Sequence, residues 1–138
     1  MERPLLNIIA LALLGGGLAS AALAANFHDG VAAYERGDIA KALVAWQSAA
    51  DQGDALAQFN LGALYAHGRG VKKDLSEAAK WYRKAAEQGN PLAQYYLGAL
   101  YDTGDGVGKD TVEAAKWYRR AAAQDLPQAQ EALNHLAK

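Results

Sequence analysis

The side chains in this chain that could do chemistry are few and widely spaced. The three histidines are His28, His67 and His135, and no two share the i, i+3 or i, i+4 spacing that holds a metal ion on a helix. The chain has no cysteine to complete such a site. Beyond the first 25 residues the only serines and threonines are Ser48, Ser76, Thr103 and Thr111. None lies in the strand-to-helix elbow that exposes a nucleophile. Asp74 with Glu77 and Asp110 with Glu113 have the spacing of helix caps rather than of an acid–base couple. Asp102-Thr103-Gly104-Asp105-Gly106 followed by Glu113 begins and ends like a calcium loop. Its third and fifth positions are glycine, however, and Val107 stands where the sharp turn needs glycine. The expectation is a protein that is not an enzyme and uses no metal and no cofactor.

The basic residues are the ones with a pattern. Lys80, Arg83 and Lys84 share one helical face, and Lys116, Arg119 and Arg120 repeat it later in the chain. One reading is a docking ridge for an acidic partner. The other is a solvated face balanced by Glu77, Glu87 and Glu113. The formal net charge of the whole chain is −1, with both signs mixed, which gives no case for nucleic acid as a partner.

These residues sit on a repeat. Residues 54–89 are followed without a gap by a second copy, 90–125, in which 23 of 36 positions are identical. A period of this length marks stacked units, none of which can bury its apolar face alone. Each unit reads as two helices. Leu56, Ala57, Leu61, Leu64 and Tyr65 recur at helical spacing in the first, and Ala78, Trp81, Tyr82, Ala85 and Ala86 in the second. Gly62 and Gly98 leave room for the paired helices to approach. Gly68-Arg69-Gly70 and Gly104-Asp105-Gly106 supply backbone that tolerates positive φ between them. Asp74-Leu75-Ser76-Glu77 and Asp110-Thr111-Val112-Glu113 resemble capping boxes, with the glutamate reaching back to the cap's own N–H.

Residues 27–53 form a shorter hairpin around the turn at Gly37-Asp38, with Trp46 in the place of Tyr82 and Tyr118. Residues 126–138 repeat the first-helix register without a partner helix. Gln128, Glu131 and Asn134 make that helix polar, as a terminal cap should be. The expected fold is an all-α solenoid of three hairpins and a C-terminal capping helix.

The first residues differ in kind. Arg3 precedes an apolar run, Leu5–Leu14, then glycines 15–17 and small residues to Ala25. Residues 1–24 have the layout of a secretory signal peptide cleaved after Ala24, which places the mature chain in the periplasm. Secretion, or an uncleaved membrane anchor over Leu5–Ala25, is the alternative.

The pattern A-x-A-Q-[FY]-x-L-G-x-L-Y, then G-x-G-V-x-K-D, then E-A-A-K-W-Y-R-[KR]-A-A resembles the Sel-one-like repeat, a relative of the tetratricopeptide repeat. Residues 54–125 carry the resemblance closely, while 27–53 look more like a plain tetratricopeptide hairpin. The resemblance implies a curved right-handed solenoid that binds other proteins as an adaptor, assembly factor or regulator. It further implies that the first helices line the concave face. Leu56, Phe59, Ala63 and His67 would then point inward, with Leu92, Tyr95, Ala99 and Thr103 one repeat later and Gln128, Glu131 and His135 from the cap. Such a lining suits a peptide or a single helix of a partner protein. Phe59 and Tyr95 also fit a second role, wedged between repeats. Some cysteine-rich relatives have a penicillin-hydrolysing activity ascribed to them, so an envelope enzyme or cell-wall-binding protein is one alternative function. A structural, self-associating protein is another.

Overall fold

The helical periods, caps and glycine stops become helices at the expected positions. The protein's structure, a computed structural model, describes residues 18–138. Among these are seven helices and no strand: α1 Leu18–Glu35, α2 Ile39–Asp51, α3 Ala55–His67, α4 Leu75–Glu87, α5 Pro91–Thr103, α6 Thr111–Ala122 and α7 Pro127–Leu136. Each helix packs chiefly against its neighbours in the sequence, the one-dimensional contact pattern of a solenoid. Three hairpins (α1–α2, α3–α4, α5–α6) and a capping helix account for all seven.

The helix starts are capped by side chains. Asp38, Asp54, Asp74, Asn90 and Asp110 each accept from a first-turn backbone N–H at 2.9–3.1 Å. The expected capping box forms only in half. The N–H of Asp74 donates to the Tyr65 carbonyl, and that of Asp110 to the Tyr101 carbonyl, both at 2.9 Å. With the cap's own donor already used by the preceding helix, Glu77 and Glu113 turn outward to Lys80 and Lys116.

The helices of each hairpin pack close because a glycine faces an aromatic ring. A Cβ on Gly62 would lie 2.6 Å from the Tyr82 ring, and one on Gly98 would lie 2.8 Å from Tyr118. Gly30 meets Trp46 in the same way, which puts the first hairpin in the common plan, and the Trp46 indole N–H donates to the Phe27 carbonyl at 3.1 Å. The loop after α5 is held as tightly. Gly106, at φ 72°, leaves no space for a side chain over the Leu75 backbone, and its carbonyl accepts from Ser76 Oγ.

Helix α1 begins nine residues upstream of Phe27, the start expected for the first hairpin. Alanine at 19, 21, 22, 24 and 25 is the strongest helix former, and it carries the helix back through this stretch. The expected cleavage point after Ala24 therefore falls within α1. The basic n-region and apolar run of the expected signal segment lie outside the described residues. No helix among the described residues is long and apolar enough to cross a membrane.

Candidate functional site

The expected lining residues fall into two groups. Phe59 and Ala63 are only 2% and 1% exposed, so neither is available to a partner. Phe59 packs between repeats instead, with its ring 5.5 Å from Tyr82 of α4 and 5.9 Å from Tyr96 of α5. The reason is positional. A middle helix in a stack is covered by the hairpins on both sides, and α3 is buried without interruption from Ala57 to Leu64. Leu56 is half-buried against the first core cluster, and His67 is exposed at the end of α3.

One repeat later the same face is accessible. Leu92, Tyr95 and Ala99 are half-buried, and Thr103 is exposed, its Oγ1 donating to the Ala99 carbonyl at 3.0 Å. Gln128, Glu131 and His135 are all exposed on α7. Tyr95 packs within its own hairpin rather than between repeats. Its ring packs against Tyr96 and Tyr118, at 5.2 and 5.8 Å, while part of it stays open to solvent.

Asp102 was not singled out by its type or spacing as a lining residue, yet it belongs to this face, seven residues after Tyr95. Tyr118 Oη crosses over Gly98 to donate to Asp102 Oδ2 at 3.3 Å. Burial, then the Asp102 charge and this hydrogen bond, push the Tyr118 phenol above its ordinary value. Burial does the same to Tyr82 and Tyr96, with a smaller push from the neighbouring tyrosine in each case.

A second set of residues was legible in the sequence only as a motif. Gln58 and Gln94, 5% and 4% exposed, each tie two repeats together. Gln58 Nε2 donates to the Ala50 carbonyl at 3.1 Å, and Gln88 Nε2 donates both to Gln58 Oε1 and to the Gly53 carbonyl. Gln94, Ala86, Gln124 and Gly89 repeat the arrangement one period on. A polar residue kept at one repeat position amid alanine and leucine was the available signal. In α7 the equivalent Gln130 is exposed and bonds Asn134 instead, so the ladder ends there.

The basic ridge is largely engaged by its own hairpins. Lys80 and Lys116, 71% and 62% exposed, pair with Glu77 and Glu113 at 3.4 and 3.5 Å. Lys84 lies over the Trp81 ring at 4.6 Å, and Arg120 over Trp117 at 4.8 Å. Arg83 donates to Tyr101 Oη and sits over that ring. Arg119 has no such tyrosine, because the residue one period after Tyr101 is Ala137. Five of the six ridge cations thus meet a glutamate or an aromatic ring. Among the described residues no group of three or more His, Cys, Asp or Glu is placed to hold a metal.

The chain matches the Sel1 repeat (the Sel-one-like repeat) three times, over residues 17–54, 55–90 and 91–126. It is similar to a Sel1 repeat protein from Oxalobacter formigenes whose crystal structure is known. That chain is 38% identical, with a TM-score of 0.77, and the match covers 96% of this chain and 98% of the other. It is also similar to c5321, a protective antigen of uropathogenic Escherichia coli displaying an SLR fold. There the identity is 37% and the TM-score 0.77, over 83% of this chain and 26% of the antigen, so this chain spans about a quarter of that protein. A third similar structure is Helicobacter pylori cysteine rich protein B, 26% identical, with a TM-score of 0.69 over 86% of this chain and all of the other. No curated protein matches the chain.

Proposed function

The chain belongs to the Sel1 repeat family, and on that premise we propose that it is a non-catalytic adaptor, assembly factor or regulator in the cell envelope. Sel1 repeat proteins are generally protein-interaction modules. In our reading the partner contributes a peptide or one helix, which lies along α5, the first helix of the third hairpin, and the capping helix α7. The observation that carries this reading is the accessibility of Leu92, Tyr95, Ala99 and Thr103 on α5 and of Gln128, Glu131 and His135 on α7. The aromatic and aliphatic groups of this strip, interleaved with polar ones, suit segment recognition. The strip rests on tightly packed hairpins, so binding would order little of this chain and leave more of the contact free energy as affinity. The envelope location rests on the signal-like pattern of residues 1–24.

The test inserts an obstacle without touching the core. Ala99→Arg with Thr103→Arg, checked to retain helicity and melting temperature, is compared with the unchanged chain for binding to a purified partner taken from envelope extract. Binding should fall at least about tenfold, because both positions lie in the middle of the strip. Equal binding by both chains would refute the strip as the interface.

A further inference from the structure

The charge of the two helix layers differs in a way the whole-chain balance conceals. The first helices of the units, α1, α3, α5 and α7, contain no lysine or arginine, yet carry Asp29, Glu35, Asp102 and Glu131. The second helices, α2, α4 and α6, carry seven cations against four carboxylates. Arg36, Arg69 and Lys138 follow the ends of first helices, and Arg69 is turned onto the Tyr34 ring. A surface built from the first helices is therefore acidic, although the chain is nearly neutral.

Within that layer the second repeat adds a specific feature. In the first repeat, Phe59, Ala66 and Tyr82 occupy three equivalent positions and form an apolar contact. One period later these positions hold Tyr95, Asp102 and Tyr118. The rings of Tyr95 and Tyr118 are 5.8 Å apart, and Tyr118 fixes one oxygen of the half-buried Asp102. No ion pair among the described residues engages Asp102. A half-buried carboxylate fixed by a phenol, with the accessible Tyr95 ring on the same helix face, is a receptor for a lysine or arginine head, which gains charge-assisted hydrogen bonding from the carboxylate and ring contact from Tyr95. The chain uses the ring contact internally, with Arg83 over Tyr101.

We infer that the segment bound along α5 and α7 is a basic one, with a lysine or arginine seated on Asp102 beside the Tyr95 ring and further positive charge facing Glu131. This deepens the proposed function and rests on it. The opposite choice, an acidic segment, would place carboxylates against Asp102 and Glu131 with no first-helix cation to receive them.

The probe is a labelled peptide of about eight residues alternating lysine and leucine, beside the same peptide with glutamate for lysine. Binding to the full chain is read by fluorescence anisotropy at about 20 mM and about 300 mM salt, where screening lengths differ several-fold. The lysine peptide should bind and weaken at the higher salt, and the glutamate peptide should not bind. Asp102→Asn with Glu131→Gln should weaken the lysine peptide about tenfold. Lys80→Ala with Lys116→Ala, on the other layer, should leave it within about twofold. Equal binding of both peptides, or no response to Asp102→Asn with Glu131→Gln, would overturn the inference. If Ala99→Arg with Thr103→Arg abolishes partner binding while the carboxylate variant does not, the strip stands and its charge assignment fails. If neither variant matters, both readings fail.

Discussion

Replacing Gly62 by alanine sets two effects of known sign against each other. Alanine is favoured over glycine inside a helix by about 1 kcal/mol, so an open position would gain stability. Gly62 is not open. Its new methyl would lie 2.6 and 2.7 Å from two carbons of the Tyr82 ring, about 1 Å inside the van der Waals contact distance. The ring cannot simply retreat. Tyr82 is 3% exposed, packed on Phe59 at 5.5 Å and stacked on Tyr96 at 5.7 Å, so moving it disturbs α5 as well. Overpacking of this kind costs about 1–3 kcal/mol, and breaking the aromatic stack adds about 0.5–1 kcal/mol. The clash should win, with a net destabilisation of about 1–2 kcal/mol. Urea unfolding followed by far-ultraviolet dichroism would read it as a lower midpoint at unchanged slope. Combining Gly62→Ala with Tyr82→Leu should cost less than the sum of the two single changes, since the shorter side chain relieves the clash. A Gly62→Ala protein as stable as the parent, or a strictly additive pair, would refute the close-packing argument.

Gln94→Ala should destabilise by about 1–2 kcal/mol, removing two hydrogen bonds at the junction of repeats, and should speed amide exchange in α5 more than in α2. An equal effect on both helices would argue against its role as a local tie. Ala137→Tyr should stabilise α7 by about 0.5 kcal/mol by giving Arg119 the ring that Arg83 has in Tyr101; a lower melting temperature would contradict this. Tyr82 and Tyr118 have phenols raised above the ordinary value by burial, so folding favours their neutral form. The corresponding stability is fully present below pH about 10 and declines as pH rises beyond it. Ultraviolet titration should show these two ionising only with unfolding. Ionisation of all seven tyrosines in one step, with dichroism unchanged, would contradict the assignment.

The fold was legible because the repeat states its rules twice. Asp74 and Asp110, Gly62 and Gly98, and Gly68 and Gly104 each occur at matching positions, and each does in the structure what its residue type requires. The capping boxes were read too far, because sequence alone does not show that the Tyr65 and Tyr101 carbonyls already occupy the cap N–H groups. The surface was harder to read. Phe59 and Tyr95 share a repeat position and differ by one hydroxyl, but α3 is enclosed by neighbours on both sides while α5 faces the polar cap. Exposure here follows from place in the stack, which periodicity does not encode. Asp102 was absorbed into a calcium-like motif along the chain, and only its contact with Tyr118 relates it to the face of α5.

The central claim is that partners are held by the first-helix layer and not by the basic ridge. Amide exchange of the chain, alone and with a purified envelope partner, tests it most directly. New protection is expected in α5 and α7 around Tyr95, Thr103 and Glu131, with α4 and α6 unchanged at Lys80 and Lys116. Protection centred on Lys80, Lys84, Lys116 and Arg120 would contradict it.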